Sequence, residues 1–220
     1  MFFSKKLITC NLQDDIPLST PIEELTFTVF DTEATGFQVG STDRLIEIGA
    51  VQVKGLEVKE IDKFHTYVNP KRQISREIME LTGISNGDVE SAPDAHEAIL
   101  SFFQFVEAQG SSCLVGHYLS FDLLLFKSEL KRNKLGLKKP ITIDTLDFIG
   151  YIAPSYDMRD LERYAMAFGT RIYERHSAIG DALTTAYLFV ELLWQFKNRG
   201  CRTWGELLKA TDSQSRNIMY

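Results

Sequence analysis

The stretch that decides the fold is "LTFTVFDTEATG", residues 25–36. Its first half is an apolar run typical of a buried strand, and two carboxylates, Asp31 and Glu33, stand at the end of that run. Alternate side chains of an extended strand share a face and lie about 6.6 Å apart, so both carboxylates project the same way from a largely dehydrated surface. Two like charges in such a place require a cation between them, or a proton on one of them.

Outward from this stretch, the chain alternates between strand and helix patterns. Residues 44–53 are apolar at both odd and even positions, as in a central strand that is buried on both faces. Residues 56–68 alternate more loosely between apolar and polar, as in a strand nearer the edge of a sheet. With the first strand they predict a three-stranded meander. Later segments predict strands at 112–117 and 141–145, and helices at 93–110, 120–136, 157–169 and 180–196. This order predicts an α/β fold in which the meander and two further strands form a mixed central sheet flanked by α-helices.

Length and composition indicate one principal domain. The 220 residues, 44% of them hydrophobic, are enough for one substantial core. We expect an N-terminal arm without a core element at 1–24, the domain itself at 25–197 and a C-terminal tail at 198–220. The net charge of -6 argues against non-specific coating of nucleic acid, which needs a broad basic surface. A nuclease that takes metal cations from solution is compatible with this charge.

The cysteines and the N-terminal sequence bear on location. Cys10, Cys113 and Cys201 are widely scattered, with no CxxC pair, which predicts reduced thiols. The N-terminal "MFFSKKLITC" lacks the apolar region of a secretory signal, and no run of about 18 apolar residues is present to span a bilayer. The sequence therefore predicts a cytoplasmic protein with no membrane partner.

Two further acids, Asp122 and Asp181, stand at the starts of predicted helices, and a histidine precedes each by five residues. Acids are common in a first helical turn, because they complement the helix dipole and accept bonds from free amides. His176 lies in the polar loop "YERHSAIGD", where an imidazole can meet solvent, and this context favours a catalytic role. His117 follows "CLVG" at a strand end, where a structural role is more typical.

The stretches "FDTEATG", "GHYLSFD" and "HSAIGDA", in this order, resemble the three exonuclease motifs of the DnaQ-like DEDDh family of 3′-5′ exonucleases. The similarity covers about residues 25–195 and includes the segments "FHTYVNP" and "ELTGISNGDVESAP". It is closest in kind to the branch that works with bacterial DNA polymerase III, as the epsilon subunit or as the exonuclease domain of PolC.

The resemblance implies an RNase H-like fold and a two-metal site. Its metal ligands are Asp31, Glu33, Asp122 and Asp181, which would hold two Mg²⁺ or Mn²⁺ ions, and its general base is His176. Hard divalent cations prefer oxygen ligands, and carboxylates supply both the oxygens and the compensating charge. Under this hypothesis, metal between them allows Asp31 and Glu33 to lie close together.

The segment after the acids is predicted to meet the substrate. The predicted substrate-binding residues are Ala34, Thr35, Gly36, Phe37 and His117. The first three are small and would offer free backbone amides beside the metals. Phe37 is equally compatible with stacking on the terminal base and with packing in the core. Tyr118 stands where the family often has Asn, which puts in doubt a polar substrate contact at that position.

These motifs predict an enzyme that releases nucleoside 5′-monophosphates from single-stranded or frayed 3′ ends of DNA, in replication proofreading or repair. One alternative is an exoribonuclease or oligonucleotide-trimming enzyme of the same family. A second is a binding module without activity, against which the presence of all five catalytic-type residues argues.

Proofreading by this chain would require a replicative DNA polymerase subunit as partner, because the sequence shows no polymerase domain. In the tail, Trp204, Leu207 and Leu208 form a short apolar stripe at i, i+3 and i+4. This stripe either packs back on the domain, which the sequence favours, or contacts a polymerase.

Overall fold

A computed structural model describes residues 6–212, and its centre is a five-stranded mixed sheet. The strands are β1 (Leu7–Ile8), β2 (Thr26–Ala34), β3 (Leu45–Lys54), β4 (Glu57–Tyr67), β5 (Cys113–Gly116), β6 (Gly136–Leu137) and β7 (Thr142–Asp144). The helices are α1 (Arg76–Thr82), α2 (Asn86–Glu90), α3 (Ala95–Ala108), α4 (Ser120–Arg132), α5 (Thr145–Ile152), α6 (Leu161–Ala167), α7 (Ala178–Asn198) and α8 (Trp204–Thr211).

The sheet has the order β4-β3-β2-β5-β7. Strand β3 runs antiparallel to β2 and β4, whereas β5 runs parallel to β2 and β7 parallel to β5. The short β1 pairs in parallel with β6 outside this sheet. The predicted α/β fold, with a meander and two further strands in one mixed sheet, is confirmed.

The two faces of β2 contact different layers of helices. The buried Phe27 ring belongs to the core beneath α7, and Phe30, which points the other way, stacks on Phe126 of α4 with centroids 5.6 Å apart. Because side chains alternate along a strand, Asp31 and Glu33 share the face of Phe27. The two carboxylates therefore project toward the layer that contains α7.

Close packing fixes the start of α7 on the sheet. A Cβ atom at Gly49 of β3 would lie 2.3 Å from the carbonyl carbon of Ala178, so only glycine allows this approach. The α7 helix thus begins directly against the strand next to β2.

Residues near both ends of the described range, Ile22, Trp204 and Leu207, are buried in the core more than the sequence indicates. Ile22 is fully buried, and its amide donates to the carbonyl of Arg202 at 2.9 Å, so the prediction of an arm without a core element is wrong at this residue. Trp204 and Leu207 of α8 are 3% and 0% exposed. The favoured prediction that the apolar stripe packs back on the domain is confirmed for these two residues, and neither offers an exposed docking surface.

The proposed boundaries at 24/25 and 197/198 stay predictions, and the last part of the tail, 213–220, lies outside the described residues.

Helices α1, α2, α5 and α8 were not predicted. For α1 the signals were present: Ser75 accepts a hydrogen bond from the amide of Ile78 at 3.3 Å, and Gly83 ends the helix with a φ of 73°. In residues 6–212 no helix combines the length and the apolar character needed to cross a membrane.

Candidate active site

A pocket of about 340 Å³ opens at the carboxyl end of β2. All four predicted carboxylates, Asp31, Glu33, Asp122 and Asp181, border it. Strand β2 supplies the first pair, and the first turns of α4 and α7 supply the other two from opposite faces of the sheet. The crevice outside the carboxyl ends of the strands is a common place for a binding site in α/β proteins.

His176 lies beside the same carboxylates. One ring nitrogen of His176 and one oxygen each of Glu33 and Asp181 all lie within 4.8 Å of one another. The residue is partly exposed, has a left-handed φ of 59°, and donates its amide to Asp181 Oδ2 at 3.2 Å. The imidazole is therefore close to the carboxylates and still open to solvent.

Burial raises the pKa of every carboxyl in the cluster, and repulsion from neighbouring carboxylates adds to this effect at Asp31 and Glu33. The pKa of Asp31 lies well above its ordinary value because of desolvation and the charges of Asp122 and Asp181. Desolvation, with the charge of Asp181 next, raises the pKa of Glu33 to about 8. Desolvation also raises the pKa of Asp122 to about 7, and that of Asp181 above its ordinary value. The cluster thus favours either bound cations or bound protons.

Arg175 is a positive group that pairs with this cluster, and sequence reasoning missed it. Its guanidinium forms an ion pair with Asp181, and its charge lowers the pKa of Asp31, Glu33 and Asp181 against the effect of burial. It precedes His176 directly in the sequence, which is the signal that was available. Arg175 supplies part of the compensating charge that the two carboxylates of β2 require.

Asp122 is held by Thr32, a second residue that sequence reasoning missed. The Thr32 hydroxyl donates to Asp122 Oδ1 at 2.5 Å, and both side chains are buried. Thr32 points to the α4 face because it lies between Asp31 and Glu33 in the strand. Thr32, the residue between the two acids of "FDTEATG", therefore orients Asp122, the acid of "GHYLSFD".

Glu47 anchors the α7 start, and sequence reasoning missed it as well. This carboxylate is 3% exposed, lies opposite Glu33 in the β2–β3 register, and accepts from the amide of Ala178 at 2.8 Å. Its other oxygen lies 2.6 Å from His65 Nε2. Ser177, the N-cap residue of α7, makes no side-chain capping bond, so Glu47 satisfies the helix end from the neighbouring strand. A lone acid in the apolar run "RLIEIGAVQV" was the available signal.

His117 occupies a structural position at the pocket wall. Its Nδ1 lies 2.8 Å from the Thr145 hydroxyl and its Nε2 lies 3.2 Å from the carbonyl oxygen of Arg159. A carbonyl only accepts, so Nε2 carries the hydrogen and Nδ1 accepts from the hydroxyl. Burial lowers the pKa of His117 to about 4, so the ring is neutral near pH 7.

The substrate-binding predictions fall into two groups. Phe37 is 83% exposed at the pocket rim, which excludes the alternative that it packs in the core. Ala34 and Thr35 are buried away from the pocket lining. The sequence predicts a free backbone amide at Thr35. The structure contradicts this, because the Thr35 amide donates to the carbonyl of Arg44 at 2.9 Å. A Cβ at Gly36 would lie 2.6 Å from Asp43, so the glycine serves this turn. Roles in substrate binding for these residues stay predictions.

Asp144 organises the turn of the second motif. It accepts from the amides of Tyr118 at 3.1 Å, Leu119 at 2.9 Å and Leu146 at 2.9 Å. Tyr118 has a left-handed φ of 61° and is 55% exposed at the pocket. The end of β7 thereby holds the turn from which α4 carries Asp122 into the site.

The donor set of this site suits a hard divalent cation. The four predicted carboxylates border one pocket together with Asp160, and the lining contains no cysteine, whose soft sulfur would favour other metals. Glu33 and Asp181 approach closely enough to share one ion. The residues present therefore fit the divalent metal ions that a DEDDh nuclease implies.

Comparison with known proteins agrees with this geometry. The family profile RNase_T, described as "Exonuclease", matches residues 28–189. A PolC-type DNA polymerase III of Bacillus subtilis is 35% identical over 207 residues, which cover 90% of this chain and 14% of the relative. The corresponding protein of Staphylococcus haemolyticus is 33% identical over 184 residues, covering 84% and 12%. The chain thus spans a small part of the length of these curated relatives.

Solved structures share the fold. Exonuclease X in complex with 5′ overhanging duplex DNA aligns with a TM-score of 0.63 and 21% identity, over 84% of this chain and 99% of that one. The nuclease domain of 3′hExo, a DEDDh family member bound to rAMP, aligns with a TM-score of 0.68 and 18% identity, over 81% and 94%. The predicted RNase H-like fold is confirmed.

The profile covers most of the chain, and the PolC-type relatives exceed 30% identity along nearly its whole length. The chain therefore belongs to the DnaQ-like DEDDh exonuclease family, as a 3′-5′ exonuclease homologous to the exonuclease domain of PolC.

Proposed function

We propose that this exonuclease hydrolyses the terminal phosphodiester bond at 3′ ends of DNA and releases nucleoside 5′-monophosphates. The observation that carries the proposal is the meeting of the four predicted carboxylates at one pocket, with a ring nitrogen of His176 within 4.8 Å of an oxygen of Glu33 and one of Asp181. The similarity to PolC-type DNA polymerases supports DNA as the substrate.

We assign two Mg²⁺ or Mn²⁺ ions to Asp31, Glu33, Asp122 and Asp181. Such ions, when bound, would neutralise the phosphate oxygens, lower the pKa of a water and stabilise the leaving 3′ oxygen. The raised pKa values of these carboxyls mean that the site releases protons when cations bind.

We assign the general base to His176. Its partly exposed ring lies next to Glu33 and Asp181, where an attacking water would be positioned, and a neutral imidazole can accept that proton. As the water oxygen bonds to phosphorus, the bond from phosphorus to the 3′ oxygen breaks, and the 3′ oxygen leaves with the shortened strand. His117 is unsuited to this role, because Thr145 and Arg159 occupy both of its nitrogens.

The pocket rim supports binding of an unpaired terminal nucleotide. The exposed aromatic ring of Phe37 offers a stacking surface for a base, and Tyr118 offers a second aromatic ring. A paired terminus must first unpair, at a cost of a few kcal/mol, and a mismatch lowers this cost. We therefore expect single-stranded, frayed or mismatched ends to be cut faster than matched duplex ends.

The decisive experiment compares matched DNA and RNA oligonucleotides labelled at the 5′ end, with Mn²⁺ and with EDTA. The proposal predicts a ladder that shortens from the 3′ end of DNA, appears with Mn²⁺ and stops with EDTA. No cleavage of either polymer with Mn²⁺ would contradict the exonuclease assignment. Faster cleavage of RNA than of DNA would instead favour the alternative of an exoribonuclease of the same family.

The biological setting that we propose is cytoplasmic replication proofreading or repair, supported by the PolC-type relatives. A replicative DNA polymerase subunit is the proposed partner. Because Trp204 and Leu207 are buried, any such contact uses other surfaces, and co-elution with a purified polymerase tests it.

A further inference from the structure

The loop that carries His176 is held at its other end by a cluster of side chains that do not line the pocket. This loop, residues 170–177, connects α6 to α7 without a helix or strand of its own. The cluster, here called the tyrosine clamp, consists of Glu60, Arg171, Tyr173 and Tyr187. We infer that the tyrosine clamp is a positioning device for His176, an inference that rests on the proposed role of His176 as general base.

The tyrosine clamp converges on one carboxylate oxygen. The hydroxyls of Tyr173 and Tyr187 donate to Glu60 Oε1 at 2.8 Å and 2.5 Å, and Arg171 donates to the same oxygen at 3.2 Å. The two tyrosine rings stack with centroids 5.8 Å apart, and the Arg171 guanidinium lies over the Tyr187 ring at 4.8 Å. The cluster therefore joins β4, the loop and α7 through four side chains.

A bulge in β4 presents Glu60 to this cluster. The β3–β4 register moves from Val51 paired with Lys63 to Gln52 paired with Lys59, so residues 60–62 are inserted between two paired positions. Bulges redirect side chains from an edge strand. Here the redirected side chain, Glu60, accepts hydrogen bonds from the loop and from α7.

The loop is further pressed against the first turns of α7. The Tyr173 amide donates to the buried Thr184 hydroxyl at 3.0 Å. A Cβ at Gly180 would lie 2.0 Å from the Glu174 carbonyl oxygen, so the backbone of the loop runs directly over the helix. Beyond Glu174, the Arg175 guanidinium pairs with Asp181, and the His176 amide donates to Asp181 Oδ2. The residues that precede His176 are thus held on one side by the clamp, through Arg171 and Tyr173, and on the other side by α7.

Loosening the tyrosine clamp is expected to lower turnover with little effect on the binding of substrate or metal. The carboxylates project from a strand and two helices, whereas His176 projects from the loop, so loosening the clamp moves the base and leaves the metal ligands in place. Displacement of a reacting group by about 1 Å costs on the order of a hundredfold in rate. We expect Glu60→Ala to lower kcat about tenfold or more, with little change in KM or in Mn²⁺ affinity.

The test is a double-mutant cycle on oligonucleotide cleavage with Glu60→Ala and His176→Ala. If the clamp acts through His176, Glu60→Ala lowers kcat in the natural background and has no further effect in the His176→Ala background. Glu60→Gln, which keeps a carbonyl acceptor for the tyrosine hydroxyls, should recover most of the activity. Glu57→Ala is the matched control, because this exposed acid of the same strand pairs with Lys59 and not with the loop.

Equal losses in both backgrounds, or a fall in melting temperature with unchanged kcat, would overturn the inference. Hydrogen exchange of residues 170–177 provides a readout that does not depend on activity. We expect faster exchange in Glu60→Ala than in Glu57→Ala, and equal exchange would also overturn the inference. If the natural chain cuts no oligonucleotide, the proposed function fails, and the exchange measurement still decides whether the clamp holds the loop.

Discussion

The chain contains the spacing H-x4-D twice, and the two copies have opposite environments. In His117–Asp122, the imidazole is half-buried at the pocket wall with both nitrogens engaged, and desolvation lowers its pKa to about 4. In His176–Asp181, the imidazole is partly exposed, with a ring nitrogen near Glu33 and Asp181.

The difference arises from where each histidine stands relative to the sheet. His117 follows β5 directly, where α5 and the segment before α6 close over it through Thr145 and Arg159. His176 lies in the loop between α6 and α7, and one of its ring nitrogens lies within 4.8 Å of an oxygen of Glu33 and one of Asp181. Identical spacing thus gives one structural and one accessible imidazole, because burial and hydrogen-bond partners decide which ring can accept a proton.

The aspartates of the two copies should behave alike, in contrast to their histidines. We expect Asp122→Asn and Asp181→Asn each to lower kcat on the order of a thousandfold, because several kcal/mol of charge stabilisation by bound metal would be lost. Single-turnover cleavage with Mn²⁺ measures this loss. Substantial activity in either variant would contradict its role as a metal ligand.

The histidines should differ sharply. We expect His176→Ala to lower kcat by about 100-fold to 10,000-fold, since general base catalysis is lost. His117→Ala should cost less than about tenfold, because it removes the hydrogen bonds to Thr145 and Arg159 and leaves the proposed general base in place. Mn²⁺ affinity, measured in parallel, should remain nearly unchanged in both variants. Equal losses of kcat would show that the two environments do not determine the roles.

The metal-free protein should lose stability as pH rises from about 4 to about 8. Unfolded, Asp122 and Glu33 release protons near their ordinary pKa values of 3.8 and 4.5, whereas folded they retain protons up to about 7 and 8. The folded state therefore binds more protons than the unfolded state across this window, so the free energy of unfolding falls as the pH rises. The stabilisation by these two protonated carboxyls is complete below about pH 4. Urea denaturation in EDTA measures the slope. Mn²⁺ should flatten it, and a rise in stability with pH would contradict the raised pKa values.

The smallest effects should come from the groups that hold each aspartate. Arg175→Gln removes the cation that faces Asp181, and Thr32→Val removes the hydroxyl that donates to Asp122. We expect losses in the free energy of unfolding of about 1–3 kcal/mol for Arg175→Gln and about 1 kcal/mol for Thr32→Val, in EDTA near pH 8. Denaturation of both variants in parallel tests the order. An unchanged stability in Arg175→Gln would show that its charge does not compensate the carboxylates.

Sequence reasoning performed best where the signal is local. The period of apolar residues predicted the meander and the long helix that became α7, and it missed α5 and α8, whose short apolar patterns overlap predicted loops and the tail. The buried Ile22 was missed for a related reason, because its partners lie near Arg202, at the opposite end of the chain.

By itself, the sequence determined the family, the class of fold and the four predicted carboxylates that border the pocket, since "FDTEATG" places two acids on one face of a strand by its period alone. Only the tertiary structure decided which groups hold them. Thr32 reaches Asp122 across 90 positions, and Glu47 reaches Ala178 across 131. Such contacts leave no periodic trace in a single sequence, because they depend on how strands and helices pack, and the same packing separated His117 from His176.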